Sequence, residues 1–452
     1  MTTVPDPSWP ALRWPDRHWH ARVWRLAGPL ILSNLTTPLL GIADSAVVGH
    51  LPDPVYLAAV ALGTVVFNTV FWLFGFLRMG TIGLTAQALG AEEPEEIRAV
   101  LARAAMAATA IGCAIVLLQV PLYRLAVLAM APSADVAVPF AGYFDIRIWA
   151  APAMLLDYVI VGWLVGMQYT RGALYMALFI NVVNIGLDLL FVVGFGWAAR
   201  GVAAATVIAH CAALAFGVLL LRYRLKQVAG SWARSRILDG AELRRLFAIN
   251  RDIFLRTLML TLSHAALTAI ASRLGDLVLA ANAVIMNLHH FMTFAVDGFS
   301  HAVQALCGRA TGARDRREFR QAVVATSLWG VAFALVFTAV YAVAGQQLVG
   351  LITSIPEVRA TTAEFVFWVA VSPVLSIWTF LLDGIFLGAT RTAAMRNAMA
   401  LAVLVYVAAL LLLVPAFGNH GLWLSLMIFF AARGLTLAIR YPALERSVGD
   451  GH

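Results

Sequence analysis

Charged residues are scarce in this chain, and their scarcity excludes a soluble protein. Of 452 residues, only 12% are Asp, Glu, Lys or Arg, whereas 62% are hydrophobic. Soluble domains contain about 25% charged residues, and a chain this apolar could not cover its surface with polar groups. The mean hydropathy of +0.84 agrees. The composition therefore predicts an integral membrane protein.

Cysteine is scarce too, and several catalytic patterns are missing. The three cysteines, Cys113, Cys211 and Cys307, are far apart and have neither the spacing of a metal site nor the even count of a disulfide framework. The chain contains no G-x-S-x-G, H-E-x-x-H or G-x-x-x-x-G-K-[ST] pattern. These absences argue against a membrane enzyme and an ATP-driven pump, and we expect neither a cofactor nor a resident metal.

Long apolar runs are what the chain does have. A bilayer core accommodates about 20 residues as helix, and breaks at charged, Gly or Pro residues leave twelve such runs, at 24–48, 56–80, 98–128, 139–166, 172–195, 200–221, 250–272, 278–306, 320–350, 361–388, 395–416 and 421–440. The formal charge of +8 comes from arginines concentrated in alternate loops. Such loops face the cytoplasm. We therefore expect a multi-pass protein of the cell inner membrane, with both termini cytoplasmic and no nucleic-acid partner.

The two halves of the chain resemble each other at a constant offset of 222 positions. QALGAEEPEEIRAVL at 87–101 aligns with RATGARDRREFRQAV at 309–323, and VGWLVG at 161–166 aligns with DGIFLG at 383–388. Six spans per half is an even number, so both halves enter from the same side. Parallel repeats of this kind usually enclose a cavity and alternate its access by rocking.

These patterns predict an all-α membrane protein with twelve transmembrane helices in two parallel six-helix repeats around a central cavity. The predicted regions are a cytoplasmic lead-in, an N-lobe, a basic cytoplasmic linker, a C-lobe and a cytoplasmic tail, at 1–23, 24–221, 222–249, 250–440 and 441–452.

Polar side chains inside the apolar runs of the first half form the candidate site. Asn184 and Asp188 are four residues apart and share a helix face. Asp44 lies in the outer part of the first span, and Thr206 begins the sixth span at a similar predicted depth. The aligned positions of Asp44, Asn184 and Asp188 in the second half hold Ala266, Tyr406 and Leu410. A six-helix bundle therefore does not need these groups to fold, which favours a function.

Two chemistries remain open for this set. Two carboxylates in one low-dielectric pocket cannot both stay charged cheaply, so the pair can bind a proton near neutral pH. Alternatively, carboxylate, amide and hydroxyl oxygens form a hard ligand set that suits Na⁺. A purely structural interpretation is that Asn184 and Asp188 join helices by hydrogen bonds.

The second half contributes secondary candidates. Asp297 and Asp383 align with Gly75 and Val161, so each could be functional, and Arg256 could instead neutralise one of them as a buried pair. Asp157, in the fourth span, fits a structural role and a cavity role equally well.

In combination, these features resemble the multidrug and toxic compound extrusion (MATE) family. They include Asp44 after Pro29 in the first span and the set Asn184, Asp188 and Thr206, and the stretches DGFSHAVQALCGRATGARD and DGIFLGATR are similar to its DinF-like branch. The resemblance implies efflux of varied, often cationic or amphipathic compounds, driven by inward H⁺ or Na⁺ flow through the cation site of the N-lobe.

The resemblance has one departure. Another branch couples through an acid in the tenth span, where this chain has Asp383, and an acid in the seventh span, but no Asp or Glu occurs in 253–272. This departure favours the N-lobe set as the coupling site.

We predict a monomeric secondary antiporter in the lipid bilayer that exports small organic compounds, coupled to H⁺ in preference to Na⁺. The alternative is a flippase for lipid-linked precursors. That function requires a basic cavity, whereas the buried charges visible in the sequence are mainly acidic.

Overall fold

A computed structural model describes residues 14–51 and 53–449, without the side chains of residues 37–40, 42 and 45. This described part of the chain is helical and contains no strand. A 3-10 turn (Ile148–Ala150) joins α6 to α7, and a π-helical turn (Leu189–Gly194) continues α8. The helices are α1 (Arg17–Gly49), α2 (Pro54–Leu73), α3 (Phe76–Gly90), α4 (Pro94–Leu117), α5 (Gln119–Met130), α6 (Ala134–Arg147), α7 (Ala151–Gly166), α8 (Thr170–Asp188), α9 (Ala198–Leu225), α10 (Arg234–Ile237), α11 (Gly240–Arg273), α12 (Asp276–Gly312), α13 (Arg316–Ile352), α14 (Pro356–Gly388) and α15 (Thr392–Ser447).

The helix lengths confirm the all-α membrane fold. Within the described ranges, ten helical stretches are long and apolar enough to cross a membrane. The longest, α15, is two helices in one, because Gly418 interrupts it with φ 55° and ψ −128°. With the 33 residues of α1, these lengths are compatible with the twelve predicted spans. We refer to α1–α9 as the N-lobe and α11–α15 as the C-lobe.

The connection between the lobes is shorter than the predicted linker at 222–249. Helix α9 continues to Leu225, and α11 already begins at Gly240. Asp239 caps α11 by accepting hydrogen bonds from the backbone N–H groups of Glu242 and Ala241, and these bonds lower the pKa of its carboxyl. Caps help to decide how far a helix extends beyond the bilayer, so both helices continue into the predicted linker, and its bounds stay a prediction.

Helices α1 and α15 also extend into the predicted lead-in and tail, whose bounds stay predictions. The lead-in was expected to run to residue 23, but α1 begins at Arg17. The tail was expected to begin at 441, but α15 continues to Ser447. Residues 1–13 of the lead-in and 450–452 of the tail lie outside the described residues.

The repeat is visible in the backbone itself. Left-handed residues occur in pairs that are 222 positions apart, and each pair lies at the turn after a helix. They are Glu92 and Arg314 (φ 56° and 55°), Gln168 and Thr390 (φ 58° and 53°), and Gly196 and Gly418 (φ 70° and 55°). Because residues other than glycine rarely adopt these angles, their recurrence shows that the two lobes turn in the same way.

Two equivalent glycines bring the lobes into reciprocal contact. A Cβ at Gly90 would overlap the carbonyl oxygen of Arg309, and a Cβ at Gly312 would overlap that of Gln87. Gln87 and Arg309 are themselves equivalent in the repeat. Each lobe therefore uses the same surface to contact the other, as in an isologous interface.

The reciprocal contact lies at the end of the molecule where the arginine-containing loops are, which we call the arginine-rich end. There the Gln87 amide donates to the carbonyl of Gly388 over 2.9 Å, and Arg22 forms an ion pair with Glu318 at 2.6 Å. A Cβ at Gly83 would also lie only 2.6 Å from the carbonyl oxygen of Leu387. The lobes are therefore tightly joined at this end.

We expect Gly90→Val and Gly312→Val each to separate the lobes at the arginine-rich end. An added side chain would overlap backbone that cannot move aside, and overpacking of this kind costs about 1–3 kcal/mol. Spin-label distances between the loops at 91–93 and 313–315 should lengthen. Gly49→Val is the control, because a Cβ there has nothing within 4 Å. Unchanged distance distributions in both variants would contradict this role.

Candidate cation-coupling site

Three of the four predicted N-lobe residues come together between α1 and α8. Asn184 and Asp188 are fully buried, and Asp44 is 7% exposed. The Asn184 amide nitrogen lies 2.6 Å from Asp188 Oδ2 and 3.3 Å from Asp44 Oδ1, so it donates to both carboxyl groups. Asp188 is the last residue of α8 before the π-helical turn, and π-helical turns are frequent at functional sites.

The cluster is short of hydrogen-bond donors. The carboxyl groups of Asp44 and Asp188 are joined through the Asn184 amide and are within electrostatic range of each other. Ionised carboxylates only accept hydrogen bonds and repel each other, so their proximity is more favourable with a proton or a cation at the pair. Asp188 Oδ1 and Asn184 Oδ1 are also buried without a partner in the described structure. These oxygens could accept a hydrogen bond from a protonated group or contact a cation.

Thr206, the fourth predicted member, is buried at 2% exposure, but its hydroxyl is used locally. It donates to the carbonyl of Val202 one turn earlier in α9, over 2.9 Å. The structure records no hydrogen bond from Thr206 to Asp44, Asn184 or Asp188 within the described residues. Helices α8 and α9 pack against each other, so Thr206 lies on a helix that adjoins the cluster.

Arg147, at the end of α6, is buried near the cluster. It is 7% exposed and within electrostatic range of Asp44. Its guanidinium lies over the rings of Phe67 and Phe71, at 5.6 and 5.9 Å from their centroids. A sequence signal existed, because the aligned C-lobe residue is Val369.

Asp383, a secondary candidate, is paired with two arginines in the C-lobe. Asp383 Oδ2 accepts from Arg256, and also from Arg433 over 2.7 Å. All three side chains are at most 9% exposed. Sequence reasoning proposed the Arg256 partner but missed Arg433, a lone charge in the last apolar run. The C-lobe cluster thus has more arginine than acid, unlike the mainly acidic charge expected from the sequence.

Asp297 and Asp157 have different surroundings. Asp297 is partly exposed and within electrostatic range of Arg78 and Arg256, and Arg78 contacts His301 across the lobes at 3.0 Å. Asp157 is buried in α7 and contacts His210 of α9, which sequence reasoning also missed. No group of three or more potential metal ligands occurs in the described part of the chain.

Comparison with known proteins gives one family. The MatE family model matches residues 29–190 and again residues 253–412, so each half is matched separately. DNA damage-inducible protein F of Escherichia coli strain K12 is 42% identical over 416 residues, which cover 92% of this chain and 90% of that protein. A probable multidrug resistance protein NorM of Caulobacter vibrioides is 30% identical over 64% of this chain and 62% of that protein.

Solved structures share the fold. An outward-facing conformation of a multidrug resistance MATE family transporter of the MOP superfamily aligns with a TM-score of 0.86 at 19% identity, covering 95% of this chain and 97% of that chain. A MOP superfamily transporter from Pyrococcus furiosus aligns with a TM-score of 0.86 at 18% identity, covering 96% and 97%.

Because the acids have different partners, replacing them with asparagine should change the free energy of unfolding by different amounts. Asp383→Asn should lower the free energy of unfolding by about 3–5 kcal/mol, because it leaves two buried guanidinium groups without their counterion. Asp276→Asn, an exposed acid at the start of α12, should change little. Thermal unfolding of the detergent-solubilised protein compares the two, and equal midpoints would show that the arginines do not depend on Asp383.

Proposed function

Because the chain belongs to the multidrug and toxic compound extrusion (MATE) family, we propose that it exports small organic compounds in exchange for protons. As a member of this family it is a multi-pass multidrug efflux transporter and not an enzyme. The family match favours efflux over the lipid-precursor flippase. Coupling to H⁺ rather than Na⁺ and the kind of substrate are the parts of the proposal that need experiments.

One observation carries the choice of a proton. The Asn184 amide nitrogen donates to both Asp188 and Asp44. An amide that donates to two carboxylates turns its oxygen away from them, and the Thr206 hydroxyl donates to Val202. The Asn184 and Thr206 oxygens, two of the four expected ligands of Na⁺, therefore do not point towards the two carboxyl groups. A proton requires only the two carboxyl groups.

Helix α1 provides a path from the site to the lobe interface. Its outer part carries Asp44, whereas further along it a Cβ at Gly298 of α12 would lie 2.8 Å from the backbone nitrogen of Ile31. Asn34 also donates to the carbonyl of Phe294 in α12 over 3.2 Å. A change of charge at Asp44 thus acts on a helix that touches both lobes, and it can bias a two-state equilibrium between them.

The proposed cycle follows from these contacts. We take the arginine-rich end as cytoplasmic, which makes the present arrangement, joined at that end, open to the outside. A proton entering from outside neutralises the Asp44–Asp188 pair, α1 shifts against α8 and α12, and substrate is released. Rocking of the lobes then opens the cytoplasmic side, where the proton leaves and the next substrate binds. We propose that the protein works as a monomer in the inner membrane, with both termini cytoplasmic and without a cofactor.

The C-lobe restricts where a cationic substrate can bind. Arg256 and Arg433 already neutralise Asp383 and leave that cluster electropositive. A cation is repelled there and is attracted to Asp44 and Asp188 in the N-lobe. Substrate and proton would then compete for the same carboxylates, which is the simplest basis of antiport.

Asp188→Asn should reduce proton-driven efflux in proteoliposomes to the level of protein-free vesicles, because an amide cannot exchange a proton. Membrane insertion and thermal stability should remain, since the asparagine keeps the size of the side chain. Asp145→Asn, an exposed N-lobe acid, is the matched control. Efflux by the Asp188 variant at the level of the control would refute the site.

Imposing ΔpH and ΔNa⁺ separately on the same vesicles tests the coupling ion. We expect ΔpH alone to drive transport and ΔNa⁺ at equal pH to have no effect. Transport driven by ΔNa⁺ and abolished by Asp188→Asn would keep the site but replace the ion.

A further inference from the structure

A second titratable pair lies inside the N-lobe, apart from the cluster described above. Asp157 of α7 and His210 of α9 are 4% and 7% exposed, and His210 Nδ1 lies 2.9 Å from Asp157 Oδ2. The other oxygen, Asp157 Oδ1, is buried without a partner among the described atoms. A carboxylate this deeply buried needs a compensating charge.

The compensation depends on one proton. In the described structure the ion-pair partner of Asp157 is His210, and no arginine takes that role as Arg256 does for Asp383. The pair is neutral overall with a proton on both imidazole nitrogens, or with a proton on the carboxyl and one on the imidazole, and it is an uncompensated anion without that proton. It is therefore a site that binds one proton.

The surroundings supply no other close counterion. Tyr158 and Cys211 are within electrostatic range of Asp157, and Arg78 and Arg147 are in range of Tyr158. On the helices packed against α7 and α9, Glu96 pairs with Arg103, Asp188 belongs to the cluster with Asp44, and His301 contacts Arg78.

The position of the pair connects it to the coupling site. Thr206 and His210 are four residues apart in α9 and share a face, so their Cβ atoms are about 5–6 Å apart. Thr206 belongs to the predicted coupling set, and His210 lies one turn further along α9 towards the arginine-rich end. His210 in turn contacts Asp157 of α7.

The repeat again serves as an internal control. The C-lobe residues that align with Asp157 and His210 are Thr379 and Ala432. The second bundle therefore folds without this pair, just as it folds without the acids of the coupling site. Both features belong to the same lobe.

We propose that His210 and Asp157 form a second proton-binding station, which receives the proton that the Asp44–Asp188 pair takes up. The proton leaves the Asp188 carboxyl and binds Nε2 of the neutral imidazole of His210, one turn of α9 beyond Thr206. Asp188 becomes a carboxylate again, free to attract a cation, and His210 becomes a cation paired with Asp157. The inference rests on the proposed proton coupling.

The direct test is infrared difference spectroscopy of the purified full-length protein during a pH titration, which requires no substrate. An imidazole band that changes with pH should be present in the wild type, be absent in His210→Gln, and shift its midpoint in Asp188→Asn. An imidazole that keeps one protonation state throughout the titration would overturn the proposal, as would a midpoint that does not respond to Asp188→Asn.

Transport of tetraphenylphosphonium in proteoliposomes distinguishes a proton-relay role of His210 and Asp157 from a purely structural role. His210→Gln and Asp157→Asn should lose about tenfold or more of ΔpH-driven transport, in the range of typical coupling energies, while counterflow exchange at equal pH persists. The double exchange of Asp157→His with His210→Asp should restore part of the loss, and Thr379→Val in the C-lobe should have no effect.

Two transport results would overturn the relay. The first is that His210→Gln and Asp157→Asn both keep the wild-type pH dependence of transport. The second is that counterflow exchange falls equally in these two variants and in the double exchange, as expected if the pair has only a structural role. The Asp188→Asn variant, measured in parallel, distinguishes failure of the relay from failure of the proposed proton coupling. If it loses ΔpH-driven transport while His210→Gln does not, only the relay fails; if it keeps that transport, the proposed proton coupling fails.

Discussion

The need to compensate carboxylates buried in a low-dielectric interior is the constraint on which the rest of the structure depends. Asp383 is compensated by two guanidinium groups, which are fixed counterions within the same lobe. Asp157 has a histidine, whose charge depends on a proton. Asp44 and Asp188 share an amide donor, and Arg147 is within electrostatic range of Asp44 without forming a recorded ion pair with it. The nature of the partner thus ranks these acids from fixed to exchangeable.

The two lobes keep a common backbone and differ in the chemistry they enclose. Their turns use the same left-handed positions, as at Gly196 and Gly418. Yet the N-lobe contains acids with exchangeable compensation, whereas the C-lobe contains an acid held between arginines. A lobe with a fixed charge does not change its electrostatics when the proton moves. The C-lobe can therefore act as a constant reference against which the N-lobe shifts.

Sequence alone could predict the span pattern, the repeat and the pair Asn184–Asp188, because each follows from hydropathy, a fixed offset or helical spacing. The contact of Asn184 with Asp44 joins residues 140 positions apart and depends on how α1 packs against α8. His210 and Arg433 were missed because each lies inside an apolar run, and its partner is defined only by tertiary structure. Aligning the halves would have identified both, since Ala432 and Cys211 occupy the equivalent positions.

The mutual fit of Gly90 and Gly312 also bears on how such a molecule could have arisen. An interface in which equivalent residues exchange the same contact is the geometry of a twofold homodimer. One ancestral bundle could have paired with a copy of itself through this seam, and fusion of the duplicated genes would have preserved it. Once the copies were covalently linked, each could acquire substitutions that the other did not share. Specialisation of one half for ion exchange became possible only after that linkage.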